Sequence, residues 1–271
     1  MAELNEDYYC FTFDAGMHDI AYAQLYELGF DAFHEEEDCI DGYLPVSLWK
    51  DGIEVKIQSV YPYTSFKIVK QQNWNAQWES TFSPITIDDQ IYVRATFHKP
   101  MSDMMEVVID PKMAFGTGHH ATTHMILSAM LEIDFKGKRV LDFGCGSGIL
   151  AIAAEKLGAS DIDAIDYDSW CVENTEENRM LNNCSRIKVW QEDHLKNLNE
   201  KYDVILANIT RDVLLQNNHD IYRLLAQGGI GMYSGFIASD LGQILNAVKG
   251  LGVKEIKVKE MGDWNAIVWH K

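Results

Sequence analysis

The run Val140-Leu141-Asp142-Phe143-Gly144-Cys145-Gly146-Ser147-Gly148-Ile149-Leu150 sets three glycines at alternate positions, with an acid two residues before the first. An apolar strand pattern leads into it and an apolar helical stretch leads out, the setting in which a glycine loop brings backbone close to a ligand. A dinucleotide fingerprint wants a glycine at the sixth position, where this chain has Ile149. The spacing argues against a nicotinamide or flavin enzyme. Asp166 closes the next apolar run, Ala164-Ile165-Asp166, at the separation where an acid takes both hydroxyls of a ribose. Asp168 reads as the cap of the helix that follows. Asp193, after Trp190-Gln191-Glu192, reads equally as one wall of an adenine pocket or as a surface acid. Asn208 follows another apolar run, at a strand end where ligands bind.

Elements of one kind must hold these residues. From about residue 105, short apolar runs at 107–109, 140–143, 162–165, 187–190, 204–207 and 230–233 predict strands. Helical stretches at 122–131, 149–157, 169–182 and 213–225 separate them. Buried strands alternating with helices of this length make βαβ units and a doubly wound α/β sheet. Residues 255–259 and 266–270 predict a closing antiparallel hairpin.

The first 60 residues read differently. A β-rich run at 8–13 precedes a helical pattern at 17–28, carried by Ile20, Ala21, Leu25 and Leu28, with Gly29 as its C-cap. Residues 30–33 and 40–46 predict a hairpin around the charge run 35–38, and 52–60 a third strand. That order suits a small α+β, ferredoxin-like layer. Residues 61–70 read as a linker, Trp74 and Trp78 share a helix face over 72–80 that reads as packing, and 91–97 reads as a strand.

The chain has 271 residues, with 23 Lys and Arg against 41 Asp and Glu, a net charge of −18. Such a balance disfavours a direct grip on nucleic acid, which needs a basic face. Residues 1–60 hold 14 of the acids and only Lys50 and Lys56 as bases. This imbalance reads either as a solvated surface or as a docking face for a basic partner. Five cysteines with no C-x-x-C pair argue against a disulfide framework or a zinc site. No apolar run is long enough for a membrane helix, and the acidic N-terminus is unlike a signal peptide, so a cytoplasmic protein without metal or membrane attachment is expected.

The Asp142–Gly148 loop and Asp166 resemble the first motif and ribose acid of S-adenosylmethionine-dependent methyltransferases of the seven-stranded Rossmann-like class. A methionine-bearing nucleoside has no pyrophosphate, so a wider glycine loop suits it. The segment Asp110-Pro111-Lys112-Met113-Ala114-Phe115-Gly116-Thr117-Gly118-His119-His120-Ala121-Thr122-Thr123 narrows the resemblance to the PrmA family of ribosomal protein L11 methyltransferases. Its approximate signature, D-P-x-x-A-F-G-T-G-x-H-x-T-T, is met at every fixed position. Asp142 to Ala154, Ala207-Asn208-Ile209 and the region of Trp74 and Trp78 extend the likeness over about residues 72–271. The first 60 residues agree in order of elements more than in motif.

The resemblance implies a fold and a division of labour: a Rossmann-like seven-stranded α/β methyltransferase sheet with a small N-terminal α+β (ferredoxin-like) domain. Residues 1–60 would recognise substrate, 61–70 would link, and 71–271 would bind S-adenosyl-L-methionine and catalyse. Thr123, Gly144, Gly146, Asp166 and Asn208 would hold the cofactor, and Phe115, Gly116, Thr117 and His120 would shape the mouth of the pocket. Thr123 also reads as a helix cap, and His120 as an ordinary loop histidine. Asn208 and His120 are the catalytic candidates. The run Asn208-Ile209-Thr210-Arg211 lacks the Asn-Pro-Pro-aromatic pattern that grips flat nitrogens, so a flexible aliphatic amine is expected. The implied reaction is methylation of lysine ε-amines and the N-terminal α-amine of ribosomal protein L11. A lysine methyltransferase of another protein, such as an electron-transfer flavoprotein subunit, is the main alternative. An RNA or small-molecule methyltransferase and a non-catalytic binding module stand further off.

Overall fold

The computed structural model describes residues 7–271 apart from His18, 36–37, 70–82, Ser102, 111–115, Thr117 and Lys254. The chain divides into two compact units between residues 82 and 83.

In the first unit, β1 (Tyr8–Asp14), α1 (Asp19–Glu27), β2 (Ala32–Glu35), β3 (Cys39–Pro45), α2 (Ile53–Val60) and β4 (Tyr63–Val69) follow in order. The strands form an antiparallel sheet ordered β2-β3-β1-β4, the ferredoxin-like arrangement. Phe11, Phe13, Leu25, Phe30, Leu44 and Ile57 are its core. The strand expected over 52–60 is a helix. Ile53 and Ile57 are buried while Val55 is 72% exposed, so the apolar period is four rather than two. The linker expected over 61–70 is largely β4, because Tyr63 and Phe66 pair with Phe13 and Phe11 of β1. The tryptophan region at 72–80 lies outside the described residues.

The second unit opens with β5 (Ile85–Ile87), β6 (Ile91–Arg94) and β7 (Met105–Val108), then α3 (Ala121–Met130). The run at 107–109 was expected in the large sheet. It belongs instead to a small sheet, β5-β6-β7, whose Ile87, Ile91, Val93 and Val107 are buried in the same core as Met125 and Ile126 of α3. The large sheet then builds from β8 (Arg139–Phe143), α4 (Ile149–Lys156), β9 (Asp161–Asp166), α5 (Ser169–Leu181), β10 (Ile187–Gln191), β11 (Tyr202–Asn208), α6 (Arg211–Leu224), β12 (Leu225–Ile237), α7 (Leu241–Lys249), β13 (Glu255–Met261) and β14 (Trp264–His270).

Its order is β10-β9-β8-β11-β12-β14-β13. Strands β8 to β12 run parallel and β14 enters antiparallel, closing the chain as the expected hairpin. The order reverses between β8 and β11, and the carboxyl ends of strands beside such a reversal form a crevice. Helices α3 and α4 pack on one face, while α6 and α7 cover the other with Leu214, Ile221, Ile244 and Val248. Among the described residues, no helix is long and apolar enough to cross a membrane.

Candidate active site

The glycine loop leaves β8 at the crevice. Gly144, Gly146 and Gly148 all have positive φ, at 77°, 56° and 78°. The N–H groups of Gly144 and Cys145 both donate to the Ile165 carbonyl, at 2.8 and 3.0 Å, and that of Gly148 donates to Cys145 at 2.8 Å. The Gly146 N–H donates to Asp166 Oδ2 at 3.0 Å. With these donors engaged inside the protein, the loop is not a nest for a pyrophosphate. Asp166, 5% exposed, accepts from Asp168 N–H through its other oxygen, so both oxygens are fixed in place at the end of β9. Asp168 caps α5 by accepting from Trp170 N–H, as its position suggested.

Beneath the loop, Asp142 is 1% exposed. Its Oδ2 accepts from Ala151 N–H at 3.0 Å, while Oδ1 has no hydrogen-bond partner. Burial pushes the carboxyl up to about 7, helped by the Asp166 charge and opposed by the Ala151 bond. A carboxyl raised in this way holds its proton more firmly in the folded chain than in the unfolded one. Its contribution to stability is therefore fullest at low pH and declines as pH climbs from the ordinary carboxylate range through about 7. Asp142→Asn should remove that slope. Thermal unfolding should show the wild type losing about 2 kcal/mol more than the variant between pH 5.5 and 8. Parallel pH profiles would contradict this.

Asn208 ends β11 on the other side of the crevice. Its Nδ2 donates to Thr123 Oγ1 at 3.1 Å, and its buried Oδ1 has no hydrogen-bond partner. The next residue, Ile209, is held between two glycines. A Cβ on Gly144 would stand 2.2 Å from Ile209 Cγ2, and one on Gly235 would stand 2.2 Å from the Ile209 carbonyl oxygen. Only glycine fits at either place, and Gly235 also has a φ of 94°. This close seating fixes Asn208.

His120, not Thr123, caps α3, since its Nδ1 accepts from Thr122 N–H. Backbone N–H can only donate, so Nδ1 is the acceptor and a neutral ring carries its proton on Nε2. The ring meets Trp264 edge-on at 4.5 Å.

The loops are braced from α5. Asn174, Asn178 and Asn182, four residues apart, are all buried. Asn178 donates to the Ser147 carbonyl at 2.8 Å and accepts from Asp110 N–H at 2.8 Å. Asn182 pairs with both backbone groups of Val108. Ser147 Oγ in turn donates to the Gly116 carbonyl at 2.5 Å. The segment that precedes α3 is thereby tied to the glycine loop.

Gly116, His120, Thr123, Gly144, Gly146, Asp166 and Asn208 all line one cavity of about 1180 Å³, and Asp193 lines it too. Phe115 and Thr117 lie outside the described residues. Trp264, Ile209, Thr210, Tyr167 and Lys196 also line it and were not anticipated. Positions just past strand ends could have signalled Tyr167, Ile209 and Thr210, whereas Trp264 and Lys196 carry no such signal. The donor set suits S-adenosylmethionine: a fixed acid for ribose, glycines at the loop, an orphaned amide oxygen and a surplus of carboxylates facing a cationic ligand.

This sheet order, with a glycine loop after its first strand and an acid ending the second, defines a Rossmann-like methyltransferase. Residues 23–271 match the family described as ribosomal protein L11 methyltransferase (PrmA). A ribosomal protein L11 methyltransferase of Porphyromonas gingivalis is 40% identical over 92% of this chain and 89% of its own length. One from Phocaeicola vulgatus is 37% identical over 93% and 92%. The crystal structure of a ribosomal protein L11 methylase from Lactobacillus delbrueckii subsp. bulgaricus superposes with a TM-score of 0.65 at 28% identity, covering 69% of this chain and 98% of that one. The chain belongs to the ribosomal protein L11 methyltransferase family.

Proposed function

We propose that the chain moves methyl groups from S-adenosyl-L-methionine to lysine ε-amines and the N-terminal α-amine of ribosomal protein L11, in the cytoplasm. The observation that carries the reading is the orphaned Oδ1 of Asn208, buried at the cavity between the glycine loop and Thr123. When bound, S-adenosyl-L-methionine supplies an electrophilic methyl group. Asp166 would receive the ribose hydroxyls, and Gly144, Gly146, Gly116 and Thr123 would frame the remainder. Because Thr123 holds the amide nitrogen, Asn208 turns its oxygen toward the incoming amine and accepts an N–H from it. A lysine ammonium, with an ordinary pKa of about 10.4, must lose a proton before its lone pair can attack, and water carries that proton away.

His120 shapes the mouth instead of acting as base, since its Nδ1 already accepts from Thr122 N–H. His120→Ala should keep turnover within about tenfold of wild type, less than loss of a general base usually brings. A collapse of turnover with cofactor affinity unchanged would make it the base.

The first unit, with most of the acidic excess, recognises the basic substrate protein. The test is transfer of radiolabelled methyl from the cofactor to purified ribosomal proteins, with labelled positions mapped by mass spectrometry. Label on L11 amines is expected. Label confined to another protein would keep the methyltransferase and replace its substrate.

A further inference from the structure

The run that places Asn208 continues into Thr210 and Arg211, and Arg211 begins α6. A cation there stands at the positive end of the helix dipole, which repels it. Two carboxylates hold it. Arg211 Nη1 donates to Asp240 Oδ1 at 2.9 Å, while Nε and Nη2 reach Asp212 Oδ1 at 2.9 and 2.8 Å. The two acids are not equivalent. Asp212 is 67% exposed and adjacent in sequence, whereas Asp240 is 16% exposed and arrives from the turn after β12. That turn is itself pinned, since Ala238 N–H donates to the Asp263 carbonyl beside Trp264 at 2.9 Å. Asp240 is the firmer tether.

The pair stands beside the cavity, outside its lining. Arg211, Asp212 and Asp240 line an adjoining depression of about 460 Å³, which meets the main cavity through Thr210, Gly235 and Trp264. Among the described residues, the main cavity carries carboxylates on Asp166, Glu192, Asp193 and Asp220 against a single ammonium on Lys196. That field favours a cationic amine approaching a cationic methyl donor, and a guanidinium swung across the shared rim would oppose it.

We propose that Asp240 is a specificity-determining positioning residue for the amine substrate: by fastening Arg211 in the side depression, it keeps the guanidinium out of the ammonium's path to Asn208. The inference rests on the amine-methyltransferase reading above. Among the described residues, neither Arg211 nor Asp240 lines the main cavity, and Arg211 is withheld rather than used.

Steady-state methylation of ribosomal protein L11 by the full chain, with cofactor affinity measured by calorimetry, tests this on Asp240→Asn, Arg211→Gln and the double variant. Asp240→Asn should raise KM for the protein about tenfold at low salt, and the excess should shrink as salt screens the released charge. Its kcat and cofactor affinity should stay within about threefold of wild type. Arg211→Gln should keep the wild-type KM, and the double variant should match it. An unchanged KM in Asp240→Asn, or a double variant as impaired as Asp240→Asn, overturns the proposal, the second outcome reducing Asp240 to a structural part. A wild-type chain inert on L11 overturns the substrate reading and this inference together. An active wild type with silent Asp240→Asn overturns the inference alone.

Discussion

Asp166→Ala should weaken binding of S-adenosylhomocysteine by about a hundredfold or more, measured by calorimetry on the folded variant. Two losses combine. The carboxylate that would take the ribose hydroxyls disappears, and charge-assisted hydrogen bonds of that kind contribute roughly 1.5–3 kcal/mol each. The same carboxylate accepts from Gly146 N–H and Asp168 N–H, so its removal also unties the glycine loop from the end of β9. Asp166→Asn separates the two effects. Its amide oxygen can still accept from one of the backbone donors, and its nitrogen can still donate to a hydroxyl, so it should fall between wild type and the alanine variant. Thermal stability should decline in the same order, because the alanine leaves buried N–H groups without an acceptor. A dissociation constant within threefold of wild type in Asp166→Ala would remove Asp166 from the cofactor site.

Much of this geometry was legible in the sequence, for reasons particular to each residue. Strands β8, β9 and β11 are buried along most of their length, so each carries a short apolar run, and the residues at or just after those runs included Asp142, Asp166 and Asn208. The first unit was harder. Its helix α2 presents Ile53, Val55 and Ile57, a β-branched alternation that imitates a strand until tertiary packing buries two and leaves the third in solvent. Strand β4 lies at the sheet edge with most of its residues exposed, and so offers little apolar signal. Strand β12 spans 225–237, well beyond the run at 230–233, since Gly228, Gly229 and Gly235 interrupt its apolar pattern. Helix α7 places Leu241, Ile244, Leu245 and Val248 at helical spacing, a pattern open to reading but overlooked.

The site divided in the same way. Gly144, Gly146 and Asp166 come together at the cavity because a tight loop fixes its own geometry. Trp264 reaches the cavity from the far end of the chain, and its arrival depends on β14 inserting antiparallel between β12 and β13. The brace of Asn174, Asn178 and Asn182 was hidden for another reason. Polar residues at helical spacing read as a solvated face, and only the backbone groups of Val108, Asp110 and Ser147 make that face a buried one.

The orphaned oxygen of Asn208 makes the sharpest demand on the chemistry. Asn208→Ala should lower kcat for methyl transfer by about a hundredfold, near 3 kcal/mol, while cofactor affinity changes by no more than about threefold. The asymmetry follows from the bonds. The amide nitrogen is already used on Thr123 at 3.1 Å, which leaves Oδ1 as the unengaged end of a residue that lines the cavity. An acceptor there orients the amine lone pair and stabilises the positive charge that grows on nitrogen as the carbon–nitrogen bond forms. Thr123→Val should produce a smaller loss, since the oxygen remains but its orientation is freed. Asn208→Asp sharpens the distinction. A carboxylate would also accept from the amine, yet it would hold the ammonium form more firmly, so the rate should be low near pH 7 and rise toward higher pH more steeply than in wild type. If Asn208→Ala instead raised KM for the cofactor with kcat unchanged, the residue would be a binding group alone, and orientation of the amine would fall to the carbonyls of Ile209 and its neighbours. Equal kinetics in the alanine and aspartate variants would exclude any hydrogen bond to the amine, because the two differ at that atom in charge and in reach.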